Sequence, residues 1–318
     1  MTAVSSPALV AQQKKAAARV SLCSNLTLLL LKLAVGLVSG SVSVLSEAAH
    51  SVSDLLASIL TVFSVKMGDL PPDDTHPYGH GKVEGLSTLV QGGLLAGVAC
   101  YIVYEAIEKL LRRAEPQHLG LGMGVMALSA LVNVFVTRYV KQAARETDSL
   151  PLEAVSKDHQ ADIYAASGVL VGLVLVQITG RGFFDSLLAL AVAALIFRSA
   201  WELFHEALAL LLDAQLPASE VALVQQILQS EPSVLGYHKL RTRKSGSLRL
   251  VDAHILMDDH LTLLEAHNLT ELVEDRIREA LPHTEIILHT EPFEQEQRHQ
   301  AEAHDRAEAE KLLQAQQL

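Results

Sequence analysis

Apolar residues fill the first two-thirds of the chain in long blocks separated by short polar breaks; the last third has a shorter, mixed pattern. A bilayer core needs about 20 apolar residues per helix. Six blocks reach that length, at roughly 20–39, 42–65, 86–108, 119–140, 160–179 and 183–211. The breaks predict the connections. Ser39-Gly40-Ser41 reads as a tight hairpin, DLPPDDTHPYGHGK as a proline-bearing polar loop, and RRAEPQH and TGRGF as short links. KQAARETDSLPLEAVSKDH is the longest predicted loop. The expectation is an all-α bundle of six membrane-spanning helices.

Beyond Asp213 the periods shorten. ASEVALVQQILQS predicts an amphipathic helix with Pro217 near its start, and VLGYHKLRTRKSGSLRLVDAHILMD predicts two strands around a Lys-Ser-Gly turn. TLLEAHNLTELVEDRIREAL reads as a helix ended by Pro282, and TEIILHTEP as a final strand. The order α-β-β-α-β predicts a small α+β domain with helices on one face of a sheet. Four regions are therefore expected: an N-terminal segment at 1–18, the membrane domain at 19–212, the α+β domain at 213–293, and a polar tail at 294–318. The tail predicts a frayed helix or disorder, and its His299 and His304 read as solvated.

The composition supports this division. The chain is 50% hydrophobic, yet its net charge of -11 at pH 7 comes largely from the later part. That acidity excludes nucleic acid as a natural partner. Cys23 and Cys100 both fall in apolar blocks and read as buried packing residues. The N-terminus lacks the apolar core and cleavage site of a signal peptide, so the first span is expected to be retained. With six spans, Lys14, Lys15, Arg19, Lys66, Lys82, Arg138, Lys141, Arg145 and Lys157 share one side, and Lys109, Arg112, Arg113 and Arg181 the other. This bias predicts that both termini are cytoplasmic.

The chemistry lies where it is costly. His50 and Asp54 sit four residues apart in one apolar block, and Asp158 and Asp162 four apart in another. Such pairs share a helix face, so two facing helices would gather one imidazole and three carboxylates. Ionisable groups at membrane depth are functional candidates by default. These residue types bind divalent cations when deprotonated, in competition with protons. Asp73, His76 and His80 form a second candidate cluster, in the proline-bearing loop. In the later region His254 and His289 fall in predicted strands and His267 on a helix that can cover the sheet; His238, His260 and His283 lie nearby. Several weaker signals remain. Lys32 either pairs with a carboxylate or snorkels, and Asp185 opens the sixth span as a candidate cap. Arg198, Glu202 and His205 suggest an internal polar ladder. Gly93 and Gly97 have the spacing of a packing face.

Three stretches together resemble the cation diffusion facilitator family of metal/proton antiporters: GSVSVLSEAAHSVSD, DDTHPYGHGKVEGL, and the set HKLRTRKSG, DAHILMD, EAHNL and ILHTEP. The match covers about residues 12 to 293 and lies nearest the bacterial ferrous-iron/zinc exporters. The resemblance implies a transport site of His50, Asp54, Asp158 and Asp162, and a loop site of Asp73, His76 and His80. It implies a cytoplasmic two-metal site of His238, His254, His267 and His289, with Glu291 where those exporters have Asp. It also implies a metallochaperone-like soluble domain, a homodimer, and Lys82 and Asp213 in inter-subunit salt bridges. His260 and His283 have no counterpart in it.

Zinc-selective members pair His with Asp in both spans. Here Asp158 takes the imidazole's place, and His159 is about 100° away around the helix. One nitrogen and three oxygens suit harder ions such as Mn²⁺, whereas the histidine-rich soluble site suits Zn²⁺ or Fe²⁺. The sequence thus predicts a divalent transition-metal exporter in the cytoplasmic membrane that exchanges cytosolic metal for protons, with a slight lean to Mn²⁺ and Zn²⁺ or Fe²⁺ close behind. The bound metal ion is cargo, and no prosthetic group is implied. The alternative is a metal-sensing membrane scaffold that binds without transporting. A metalloenzyme is disfavoured because the chain has no HExxH-type motif.

Overall fold

The computed structural model describes residues 7–39, 42–112, 120–179 and 183–298; within these, some side chains, including those of His50 and Asp185, lie outside the description. The chain forms two compact units and passes from one to the other between Leu212 and Asp213.

The first unit is helical: α1 (Pro7–Ser39), α2 (Val42–Gly68), α3 (Lys82–Arg112), α4 (Gly120–Thr147), α5 (Leu150–Thr179) and α6 (Phe183–Leu211). Stretches of four of them, Leu9–Val38, Ser51–Gly68, Lys82–Glu108 and Ser186–Leu211, are long and apolar enough to cross a membrane. α1 has 33 residues, about 50 Å at 1.5 Å per residue, which exceeds a hydrocarbon core of roughly 30 Å. Helices of this length continue beyond lipid, and this overturns one expectation. The predicted long loop at 141–159 is almost entirely helical, because α4 runs to Thr147 and α5 starts at Leu150. Only Asp148 and Ser149 turn the chain, with Asp148 at φ 51°. Hydropathy marks where lipid ends, and a polar helix can continue past that point.

The helices pack chiefly as α3 on α6, α1 on α2 and α4 on α5. One apolar cluster joins α1, α4 and α5 through Ala17, Ala18, Val136, Val140, Leu152 and Val155. Another joins α3, α5 and α6 through Leu95, Ala99, Ala161, Ile196 and Leu203. Cys23 and Cys100 are exposed rather than buried: each lies on the outward face of its helix, where apolar neighbours serve the lipid. Gly93 and Gly97 also face open space within this chain.

The second unit runs α7 (Ala218–Ser230), β1 (Gly236–Ser245), β2 (Leu248–Met257), α8 (Leu263–Ala280), β3 (Thr284–Pro292). The sheet order is β1-β2-β3. Gly246, at φ 62°, turns the β1–β2 hairpin, a backbone state glycine enters at little cost. β2 and β3 are parallel, with His254 opposite His289 and Leu256 opposite Glu291. This α+β arrangement is the predicted one. α8 starts on a capping box in which the Thr262 side chain accepts from the Glu265 N–H and Glu265 bonds back to the Thr262 backbone. The two helices cover one sheet face. Val224 and Leu228 of α7 and Val273 and Ile277 of α8 pack on Val251, Ala253, Ile255 and Ile286. The alternate strand positions, where His254, His289 and Glu291 lie, are left for chemistry.

Candidate functional site

In the membrane unit α2 carries His50 and Asp54 and α5 carries Asp158 and Asp162. Asp54 is buried, at 4% exposure. The carboxylate of Asp158 lies in electrostatic range of both Asp54 and Asp162, and its Oδ2 is buried with no hydrogen-bond partner among the described residues. Three acidic groups from two helices therefore converge; the His50 side chain is outside the described residues. Carboxylates so placed repel one another when ionised, and a divalent cation or protons relieve that repulsion.

A polar frame holds this group. Asn133 of α4 donates from Nδ2 to Asp162 Oδ2 at 2.8 Å. Asn25 of α1 donates to the backbone carbonyl of Asp54 at 3.0 Å and to Ser58 Oγ at 2.9 Å. His159, fully buried, bonds through Nε2 to Ser21 Oγ at 2.9 Å, and Ser21 in turn meets Ser58 at 2.9 Å. His159 thus braces α5 against α1. Lys32 donates to Ser51 Oγ at 2.7 Å. The sequence reading passed over Asn25 and Asn133. The available signal was an isolated amide inside an apolar block, which needs a hydrogen-bonding partner there.

The proline-bearing loop brings its three candidates together, with ligand atoms of Asp73, His76 and His80 all within 4.8 Å of one another. Asp73 Oδ1 accepts from the Thr75 hydroxyl at 2.8 Å, the His76 N–H at 2.7 Å and the Thr75 N–H at 2.9 Å. The Thr75 hydroxyl first, and then the His76 N–H, hold the Asp73 carboxyl down at about 2. His80 Nε2 lies 3.3 Å from Asp73 Oδ2, and the two imidazoles sit 4.5 Å apart, centroid to centroid. Gly79, at φ 77°, turns the chain so that both rings share a side.

In the second unit His238 of β1, His254 of β2 and Glu291 of β3 form an equally close group. His238 Nε2 meets Glu291 Oε2 at 2.6 Å and His254 Nδ1 meets Oε1 at 2.7 Å. Burial pushes Glu291 up, but hydrogen bonds from His254 and His238 outweigh it and hold the carboxyl below its ordinary value. His289 stands at the rim, its ring 4.7 Å from that of His254 and its Nε2 3.6 Å from Glu291. His267 is not brought into this group. It is exposed, and it meets Glu271 on its own helix at 3.6 Å, because its position on α8 faces away from the sheet. Glu296, in the region expected as a polar tail, reaches within 3.9 Å of His238.

Other candidates fall differently. Arg198, Glu202 and His205 form no internal ladder. Arg198 is exposed and pairs with Glu202 at 3.1 Å, while His205 lies against the outward-facing Trp201 at 4.9 Å. Lys157 instead gathers Glu153 at 3.2 Å, Glu206 at 3.5 Å and Glu202 at 3.8 Å. Lys82 donates to the Leu211 carbonyl at 3.4 Å, and Asp213 meets Arg243 at 3.2 Å. The His260 backbone N–H donates to Asp258 Oδ1, and His283 adopts φ 58° at the entry to β3.

A multi-helix unit with carboxylates gathered among its helices, attached to an α+β unit bearing an imidazole–carboxylate cluster, is the construction of a membrane cation transporter. The profile of the cation efflux transmembrane domain matches residues 18–212, and that of the cation efflux protein cytoplasmic domain matches residues 216–293. The chain belongs to the cation diffusion facilitator family of cation efflux transporters. The cation-efflux pump FieF of Shewanella oneidensis is 33% identical over 282 residues, covering 89% of this chain and 95% of that protein. FieF of Salmonella arizonae is also 33% identical, covering 84% and 89%. A solved structure of the zinc transporter CzrB, in its zinc form, is 29% identical over 24% of this chain and 90% of the solved chain, with a TM-score of 0.24. The protein is thus a multi-pass membrane transporter for metal cations, and its second unit is the family's cytoplasmic dimerisation domain.

Proposed function

We propose that the chain exports a divalent transition metal from the cytosol across the cytoplasmic membrane in exchange for protons. The observation that carries this reading is the convergence of Asp54, Asp158 and Asp162 from α2 and α5; the proposal adds His50, one turn before Asp54 on α2, as fourth ligand. Metal from the cytosol binds these groups; after the helices open outward, protonation of His50 and the carboxylates releases it. One nitrogen and three oxygens favour Mn²⁺ narrowly over Zn²⁺ or Fe²⁺. The bond from His159 to Ser21 supports that order, since it commits the neighbouring imidazole elsewhere.

Both termini are placed in the cytoplasm, with membrane domain 19–212, metal-binding dimerisation domain 213–293 and tail 294–318. Asp73, His76 and His80 form a second metal site. His238, His254, His289 and Glu291 form a third, which favours the homodimer when cytosolic metal is high. His267 belongs to that site only if α8 reorients or a second subunit brings it close. Lys82 and Asp213 serve the dimer through inter-subunit salt bridges. The test of exchange uses proteoliposomes loaded with a pH-sensitive dye. Mn²⁺ entry is expected to alkalinise the lumen as protons leave; Mn²⁺ entry with no pH change contradicts antiport.

A further inference from the structure

Hydroxyl groups inside membrane helices usually bond to the carbonyl one turn back. Thr27, Thr61, Thr88 and Thr147 do so here, at 2.7 to 3.0 Å. One face of α4 departs from this habit. Ser129, Asn133 and Thr137 follow one another at four-residue steps and are 6, 2 and 6% exposed. Ser129 Oγ, Asn133 Oδ1 and Thr137 Oγ1 are all buried and have no hydrogen-bond partner among the described residues. The bond to Asp162 fixes which way the amide lies. A carboxylate only accepts, so the NH₂ faces Asp162 and the carbonyl oxygen is directed away from that bond.

A buried oxygen left without a partner costs about 1–3 kcal/mol. Three in a row on one helix face call for a common partner. Successive positions rise about 6 Å along the helix, the span of one water making two bonds of about 2.8 Å. The site is polar, as a bound water requires. α1, which packs on α4, carries a further unpartnered hydroxyl at Ser24.

We propose that Ser129, Asn133 and Thr137 line a file of water along α4 that reaches the transport site at Asp162. Asn133 is the junction: its nitrogen orients the carboxylate and its oxygen binds the file. The file gives protons and aqueous ions a route along α4 to the half-buried Asp162 carboxylate. The proposal rests on the transport-site reading above, but its test does not need transport.

The test uses the full chain in liposomes, with outward-facing Cys23 and Cys100 replaced by serine. Ser129→Cys and Thr137→Cys are compared with Val140→Cys on the same helix; Val140 is fully buried in an apolar cluster. The probe is a charged methanethiosulfonate, which reacts with the thiolate and so with a hydrated thiol. Labelling in denaturant, where all three positions are equally open, normalises each rate. In the folded protein Ser129→Cys and Thr137→Cys are expected to react at least about tenfold faster than Val140→Cys, since a dry site raises the thiol pKa by a unit or more. Equal, slow labelling at all three positions overturns the water file and leaves the carboxylate site untouched. Fast labelling in a chain that also carries Asp162→Ala supports the file even where transport is lost.

Discussion

The two units gather their candidate metal ligands by different means. In the membrane unit, carboxylates on α2 and α5 come within electrostatic range of one another. Amides from α1 and α4 brace them, and His159 of α5 itself bonds across to Ser21 of α1. In the soluble unit the ligands close on each other directly, with Glu291 held between His238 and His254 at 2.6 and 2.7 Å. A site that must bind and release needs ligands braced by a surrounding polar frame. A site that only binds can satisfy its polar groups internally, and metal then displaces those bonds. The difference follows from the elements: a helix presents ligands one turn apart, whereas adjacent strands bring them side by side.

The largest expected effect tests the membrane half. Asp54→Ala or Asp162→Ala should lower metal flux by at least about 100-fold, as loss of a charged ligand costs several kcal/mol, while the protein still inserts and folds. Flux near wild type in either variant would separate the acidic group from transport. Next comes selectivity. Asp158→His makes the site two nitrogens and two oxygens and should raise the Zn²⁺ to Mn²⁺ flux ratio about tenfold, read by competition between the two ions. An unchanged ratio would place selectivity outside this group.

In the soluble half, Glu291→Ala should weaken metal binding about 10–100-fold, measured by calorimetry on the full chain, with flux at saturating metal preserved. The same residue predicts a pH effect. Its carboxyl is held below the ordinary value, so its contribution to stability is present above the unfolded-state pKa and fades as pH falls through the lower folded value. In melts of the metal-free protein, Glu291→Ala should differ from wild type at pH 6, and the difference should shrink as pH falls below about 4.5. The smallest effect is local: Thr262→Ala removes the α8 capping box and should cost about 1 kcal/mol in denaturant unfolding of that domain.

The two halves were also unequally legible in the sequence. Pairs four residues apart in apolar blocks pointed to Asp54, Asp158 and Asp162 because helix geometry is local and charges in lipid stand out. The same hydropathy misplaced the link between α4 and α5, since polar helix beyond the bilayer resembles loop. It misread Cys23 and Cys100, since lipid-facing and buried positions are equally apolar. Strand order and the His254–Glu291 proximity depend on pairing across 37 residues, which no local pattern records. His267 was expected at the sheet because α8 covers it, yet helix phase turns it outward. Asn133 went unnoticed because its significance comes from Asp162 on another helix.

The most direct test of the central claim is metal uptake by proteoliposomes under a pH gradient, with wild type and Asp162→Ala side by side and Mn²⁺, Zn²⁺ and Fe²⁺ supplied separately. The account predicts gradient-driven uptake by wild type, Mn²⁺ fastest, and none by the variant. Equal uptake by both proteins would contradict it.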